Sequence, residues 1–261
     1  MRRAALTALV VLALTSPAQG QPKEGIVRPA DERGKSRLEL GRELFAGNCV
    51  TCHGTAGQGM IGRERRLGSG KTEGLGPPLI GVGARAADFY LRTGRMPLGD
   101  PYDEPERRRP LFSEREIGAL TAYVASLGDG PGIPHPSPEG GDLHEGLSLF
   151  TEHCAGCHQV VGRGGVVTGA RVPPLEDSTP VQIAEAVRLG PYLMPRFSDK
   201  DISSRELDSI IAYVQRTQHP KDQGGWGIGN VGPIPEGMVA WFLAATSFVM
   251  LCLLLGQRVR G

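Results

Sequence analysis

Apolar residues along this chain fall into two kinds of pattern. Two stretches are apolar without periodicity: Ala4 to Leu14 near the start, and the 18 uncharged residues Met238 to Leu255 near the end. Between them, apolar positions recur at helical spacing. Leu40, Leu44 and Phe45 mark one helix, Ile117, Leu120, Val124 and Leu127 a second, Leu147, Leu149 and Phe150 a third, and Leu207, Ile210, Ile211 and Val214 a fourth. Ser113 with Glu116 and Ser203 with Glu206 are capping boxes, in which serine and glutamate satisfy each other's otherwise orphan backbone N–H groups. Thr179-Pro180 through Val187 to Gly190 has a capping threonine, proline in the first turn and a stopping glycine, which predicts a further helix. Gly41 and Gly146 sit inside predicted helices at a cost in propensity, so each predicts close approach of another helix, the one bearing Tyr123 or Tyr213. Asp129 to Gly141 and Gly224 to Gly232 are too rich in Gly and Pro for regular elements.

The pattern occurs twice. Gly41-Arg-Glu-Leu-Phe45 matches Gly146-Leu-Ser-Leu-Phe150 at an offset of 105, Pro77-Pro78-Leu79 matches Pro173-Pro174-Leu175 at 96, Met96-Pro97 matches Met194-Pro195 at 98, and Ala122-Tyr123-Val124 matches Ala212-Tyr213-Val214 at 90. The order is the same in both halves. The falling offsets place extra residues in the first half, around Ile61 to Gly74 and from Gly99 to Pro110.

The two apolar ends read differently from each other. Met1-Arg2-Arg3, the short apolar run and Ser16-Pro17-Ala18 form the three parts of a secretory signal over residues 1–18; the competing reading, an uncleaved anchor, asks a short run to do the work of about 20 residues. Met238 to Leu255 is long enough to span a bilayer, with Trp241 near one interface and Arg258 and Arg260 beyond the other, which by the positive-inside rule puts the C-terminus in the cytoplasm. A buried core helix is its alternative. Cys252, inside this run, reads as a small apolar residue.

Charge adds little. The chain of 261 residues has a formal net charge of +1, which gives no indication of nucleic acid as a partner. Residues 36–128 hold 13 Lys and Arg against 11 Asp and Glu, while residues 141–218 hold 7 against 10. The acidic second half would favour a basic partner, though such an imbalance also arises on any solvated surface. No phosphate-loop lysine pattern occurs.

The chemistry lies in Cys49-Val-Thr-Cys52-His53 and Cys154-Ala-Gly-Cys157-His158, which use four of the five cysteines. Two cysteines one turn apart can form thioethers to the two vinyl groups of one porphyrin, and the adjoining histidine then reaches the iron, so each pentapeptide reads as a covalent haem c attachment site. A redox dithiol or half a zinc site would use the same cysteines, but neither needs the histidine, and paired zinc half-sites recur within about 15 to 20 residues. Each iron then has a sixth position. Met96 and Met194 occupy it by their shared place in the repeat, as thioether donors that favour the ferrous state and raise the potential. Met60 has no counterpart and reads as insertion or packing; His135, His144, His153 and His219 are histidine alternatives that do not repeat. A carbonyl near Pro77 or Pro173 is placed to accept from the second ring nitrogen of the bound histidine and fix its orientation.

By these residues both halves resemble class I cytochrome c domains. The expected fold is all-α: two tandem class I cytochrome c domains, residues 36–128 and 141–218, joined by a Pro/Gly linker over 129–140. A Gly-rich membrane-proximal loop over 219–236, one C-terminal transmembrane helix over 237–256 and a cytoplasmic tail over 257–261 follow. The whole arrangement, with the tract from Gly224 to Trp241, is similar to the dihaem cytochrome c subunit of actinobacterial-type quinol:cytochrome c reductase. That resemblance implies two covalent haem c groups, a membrane-anchored position with the haem domains outside the cytoplasm, and electron transfer from a Rieske iron–sulfur protein towards a haem-copper oxidase, in company with a cytochrome b subunit. It implies an electron-transfer subunit with no independent catalysis. The rivals are a freestanding dihaem carrier or oxidase subunit, and a dihaem peroxidase or dehydrogenase with one open iron, against which the paired methionines speak. The Arg-rich insertion before Gly74 departs from the family pattern.

Overall fold

The computed structural model describes residues 25–60, 76–99, 104–219 and 233–260. The signal over residues 1–18, the insertion around Ile61 to Gly74 and the tract Gly224 to Gly232 lie outside the described residues, as does part of the insertion from Gly99 to Pro110. Among the described residues the elements are helical apart from one hairpin. In chain order they are α1 (Arg37–Asn48), α2 (Val50–His53), α3 (Gly83–Arg92), α4 (Glu114–Ala125), a 3-10 turn (Pro138–Gly140), α5 (Leu143–His153), α6 (Ala155–His158), β1 (Gly165–Val167), β2 (Ala170–Val172), α7 (Pro180–Leu189), α8 (Ser204–Gln218) and α9 (Pro233–Arg260).

The chain divides into two compact units. The first comprises Met1–Pro136, Thr168–Ala170 and Thr179–Ser204, and the second Ser137–Val167, Arg171–Ser178 and Arg205–Gly261. The division does not follow the sequence repeat, because α7 packs on α3 and is thereby grouped with the first unit.

In the first unit, α4 packs along α1 and α3. Leu40, Leu44 and Phe45 of α1, Leu91 of α3, Phe112, and Ile117, Ala119, Leu120 and Val124 of α4 form one buried cluster. The capping box predicted at Ser113 and Glu116 is present, and Ser36 with Glu39 forms another at the start of α1. Glu116 has a second task. Its carboxylate accepts from Arg28 Nε at 2.7 Å, while Asn48, the residue before the first cysteine, exchanges two 2.8 Å bonds with the backbone of Val27. The segment ahead of α1 is thus tied to both ends of the α1–α4 pair. Part of the Pro/Gly linker is ordered against this unit as well: the Pro131 carbonyl accepts from Arg85 N at 3.1 Å, and a Cβ on Gly83 would stand 2.5 Å from that same oxygen.

In the second unit, α5 is capped by Asp142, whose carboxylate accepts from the backbone N–H groups of His144 and Glu145. Phe150 of α5 and Leu207, Ile210, Ile211 and Val214 of α8 are buried. Ser203 stands immediately before α8, in the place the predicted cap requires. The β1–β2 hairpin, turning at Thr168-Gly169, was not expected from an all-helical pattern; Gly169 adopts a positive φ of 83°, which glycine takes at no steric cost.

Both helix glycines do what their cost foretold. A Cβ on Gly41 would lie 2.1 Å from the Ala119 carbonyl oxygen and 2.8 Å from Tyr123 Cβ; one on Gly146 would lie 2.0 Å from the Ser209 carbonyl oxygen and 3.0 Å from Tyr213 Cβ. Phe45 and Tyr123 meet with ring centroids 5.0 Å apart at 51°, and Phe150 and Tyr213 at 5.3 Å and 50°. The same helix crossing is built twice. In α9, the span Gly237–Arg258 has none of its apolar window buried and is long and apolar enough to cross a membrane.

Candidate functional site

Each pentapeptide folds into one turn of helix begun by its first cysteine. Cys52 N and His53 N donate to the Cys49 carbonyl at 3.1 and 2.8 Å, and Cys157 N and His158 N to the Cys154 carbonyl at 3.1 and 2.9 Å. That turn sets the two thiols of a pair on one side, the geometry two thioethers to one ring demand. Cys49 and Cys154 are half-buried, and burial pushes their thiols up to about 12 and about 11, with the neighbouring cysteine adding to the rise. Neither has the lowered pKa of an activated thiol in a redox dithiol.

The predicted acceptor for histidine is in place in the first half. His53 Nδ1 lies 2.8 Å from the Pro77 carbonyl oxygen, which leaves Nε2 as the nitrogen available to a metal. Gly76 permits the approach: a Cβ there would sit 2.8 Å from the Cys52 carbonyl oxygen and 2.9 Å from the His53 ring. In the second half, His158 Nδ1 is buried without a hydrogen bond of good geometry. Burial lowers the His158 pKa, and the Pro173 carbonyl acts in the opposite direction. The Pro173 carbonyl therefore faces the ring electrostatically, in a looser version of the first arrangement.

Two glycine pairs missed in the sequence hold these walls. Gly57 and Gly162 both have φ of 70°, and their carbonyls accept from Leu79 N at 2.7 Å and Leu175 N at 2.8 Å. Gly59 and Gly164 have φ of 79° and 69° and donate to the His53 and His158 carbonyls at 2.8 and 3.0 Å. A Cβ on Gly59 would stand 2.6 Å from Pro78 N, and one on Gly164 2.4 Å from the Val172 carbonyl oxygen. Both pairs sit at the same offset of 105 as the pentapeptides, the signal that would have found them.

Met96 is half-buried and packs, with Cys49, Val50, Leu79 and Tyr123, against the core cluster of the first unit, and its N–H donates to the Tyr90 carbonyl at 3.1 Å. The fold thus brings Cys49 and Met96 to one cluster. Met194 is half-buried in the loop after α7, its N–H donating to the Pro191 carbonyl at 3.0 Å. It belongs to the first unit, and Cys154, Cys157 and His158 to the second. Met60 is exposed and pairs through its backbone with Gly76. Cys252 is exposed on α9.

The residues present fit haem c. The thiols are free and paired one turn apart, one histidine nitrogen is held by a carbonyl while the other is spared, and a thioether lies on the same cluster as the first cysteine.

Comparison with known proteins agrees with this geometry. Residues 38–128 match the cytochrome c family model, and residues 141–214 match that of cytochrome c oxidase, cbb3-type, subunit III. The cytochrome bc1 complex cytochrome c subunit of Mycobacterium tuberculosis is 36% identical over 241 residues, covering 89% of this chain and 82% of that one. The subunit of the same name from Corynebacterium diphtheriae is 32% identical over 268 residues, covering 96% and 89%. Reduced recombinant cytochrome c4 from Pseudomonas stutzeri, a solved structure, matches at 22% identity with a TM-score of 0.22, over 68% of this chain and 97% of that one, a likeness too weak to carry weight. Two matched cytochrome c domains, which imply a haem electron-transfer role, and the relatives' extent along the chain place this protein in the family of cytochrome c subunits of the cytochrome bc1 complex.

Proposed function

We propose that this chain carries two covalent haem c groups, one on Cys49, Cys52 and His53 and one on Cys154, Cys157 and His158, with Met96 and Met194 as the sixth ligands. On this reading it is the membrane-anchored dihaem subunit that takes electrons from a Rieske iron–sulfur protein and passes them towards a haem-copper oxidase, in a complex with cytochrome b. The observation that carries the reading is His53 Nδ1 at 2.8 Å from the Pro77 carbonyl, because an imidazole so fixed is presented to a metal by its other nitrogen. The repeated cysteine turn and the repeated glycine supports extend it to the second half.

Haem c, when bound, supplies one-electron chemistry at an iron that cycles between ferrous and ferric. The chain contributes the rest. Thioether links prevent loss of the ring, the Pro77 carbonyl strengthens His53 as a donor, and methionine thioethers favour the ferrous state and so a high potential. The glycine-supported proline segments keep ligand geometry fixed, which limits reorganisation as charge arrives and leaves. Arg258 and Arg260 after the apolar helix favour a cytoplasmic C-terminus, with both haem domains on the other side of the cell membrane.

Purification in mild detergent tests the assembly. Two haem c per chain by pyridine haemochrome assay, with cytochrome b and a Rieske protein in the same particle, is the expected result. A chain that emerges alone and monodisperse removes the complex from the proposal and favours a freestanding carrier. Carbon monoxide binding to the reduced protein would expose an open iron and favour the enzyme reading.

A further inference from the structure

Electron transfer makes no use of Glu185. It lies in the middle of α7 with a relative exposure of 0%, and neither of its carboxyl oxygens has a hydrogen-bond partner. Gln182, Glu185 and Arg188 form one stripe of α7 at helical spacing, and all three are buried within the first unit.

The charges that act on Glu185 come from α3: Asp88, Arg92 and Arg85. Each cation nearby is already engaged. Arg92 Nε donates to both oxygens of Asp88, at 2.9 and 2.8 Å, and its other end pairs with Glu114 of α4. Arg85 Nε donates to the Gly132 carbonyl at 3.3 Å. On α7 itself, Arg188 donates to the Phe197 and Ser198 carbonyls at 3.2 and 3.0 Å and lies 2.8 Å from Asp199. Arg107 donates to Gln182 at 3.2 Å, one turn before Glu185. Arg92 and Arg85 still favour an ionised Glu185, but neither donates a hydrogen bond to it, and burial together with the buried Asp88 opposes its ionisation more strongly. Burial first, and then the Asp88 charge, push the Glu185 carboxyl up from 4.5 to about 8.

We propose that Glu185 is a proton-binding site in the packing of α7 on α3, holding its proton at neutral pH, and that loss of this proton loosens α7 from α3. The proton comes from solvent water and returns to it, and no other bond changes. What the site controls follows from the end of α7. Phe197 N donates to the Val187 carbonyl at 2.9 Å, and Gly190, in left-handed conformation, closes the helix against the loop that contains Met194. A shift of α7 carries that loop with it. This goes beyond the electron-transfer reading, since the proton site stands whether or not Met194 binds iron.

The sign is set by linkage. A carboxyl whose folded pKa lies above its unfolded value makes the folded state the better proton binder between the two, so the packing weakens as pH rises through that interval and levels off above it. The test uses the intact, haem-loaded chain in detergent. Infrared spectroscopy should find a protonated carboxyl C=O band that shifts in deuterium oxide, fades as pH rises through the titration, and is absent in Glu185→Gln. Hydrogen exchange of the α7 amides, corrected for intrinsic rates, should accelerate in the wild type by roughly tenfold per pH unit between the unfolded and folded values and level off above the latter, and stay constant in Glu185→Gln. Asp88→Asn removes the opposing charge and frees Arg92, so it should move the titration of the band to lower pH. A band that survives in Glu185→Gln, wild-type α7 protection that ignores pH, or an unmoved titration in Asp88→Asn would each overturn the proposal.

Discussion

His53 Nδ1 stands 2.8 Å from the carbonyl oxygen of Pro77, and the glycine before that proline is what lets the two meet. A Cβ at residue 76 would be 2.8 Å from the Cys52 carbonyl oxygen and 2.9 Å from the His53 ring, closer than packed atoms tolerate. Gly76→Ala must therefore push the Pro77 carbonyl and the ring apart. An imidazole that loses the acceptor of its second N–H becomes a weaker donor, and a weaker donor stabilises ferric iron less. The first haem of Gly76→Ala should titrate at a higher potential than in the wild type, with the second unmoved. A redox titration that shows the first wave unchanged would remove the carbonyl from any role in tuning.

That contact is legible in the amino-acid sequence, because a bound histidine needs an acceptor and the Pro-Pro-Leu segments recur where one is required. The helix crossing at Gly41 and Gly146 is legible for a similar reason: a glycine that costs propensity in a helix needs a compensating approach. Helix α3 is not. It begins after Val82, which offers no capping side chain, and Gly83 at its first position has φ of 77°, so the usual start signals are missing; its counterpart α7, with Thr179, Pro180 and Gln182, carries all of them. The supporting glycines at 57, 59, 162 and 164 escape notice because single glycines in a loop look like ordinary turn residues until their carbonyls are seen holding Leu79 and Leu175. Glu185 is hidden for a different reason. Its burial depends on α7 packing against α3, an element from the other half of the repeat.

Gly41→Ala and Gly146→Ala probe the duplicated crossing. The added methyl meets a backbone carbonyl at 2.1 Å in one case and 2.0 Å in the other, and neither the Ala119 nor the Ser209 backbone can yield without moving its helix. Overpacking of this kind costs about 1–3 kcal/mol. Urea unfolding of the haem-loaded chain should show a lowered midpoint for either variant. A midpoint within error of wild type would mean that the two helices separate at no cost.

Arg28 tests the segment ahead of α1. Burial tends to raise the Glu116 pKa, but hydrogen bonds from the Ser113 backbone and from Arg28 outweigh it, and the carboxyl is held below the usual range. A carboxylate with a depressed folded pKa contributes stability above its ordinary value of 4.5, and that contribution is lost as pH falls through the folded value. Arg28→Ala should cost roughly 1–3 kcal/mol at neutral pH, the range for leaving a buried acceptor short of a partner, reduced by the partial exposure of Arg28. It should also shift the acid limb of the stability curve to higher pH. Melting temperature followed from neutral to acid pH checks both, and parallel curves for the two proteins would show that Arg28 does not act through Glu116.

Covalent haem bears on folding as well as on colour. Each half of the repeat is small enough that its own apolar surface is marginal, and Cys49 and Met96 lie at the margin of the first core cluster, where the ring would complete it. Cys52→Ala and Cys157→Ala should accumulate poorly and show no cooperative melt in the affected half by circular dichroism. An apoprotein half that still unfolds cooperatively would show that the polypeptide alone suffices.

Met194 sits in the loop that α7 carries, held by Phe197 N on the Val187 carbonyl and by Arg188 on the Phe197 and Ser198 carbonyls. Those bonds fix the loop through its backbone, so the side chain at 194 can change without releasing it. Met194→His replaces a weak thioether donor by imidazole, which stabilises ferric iron and lowers the potential. Two waves should therefore separate in a redox titration of the variant, the second haem moving down while the first, for which we propose His53 and Met96 as ligands, stays where it was. If both waves remain in place, Met194 is not a ligand; if both move, the two haems are coupled through the protein strongly enough that neither potential belongs to one ligand set alone.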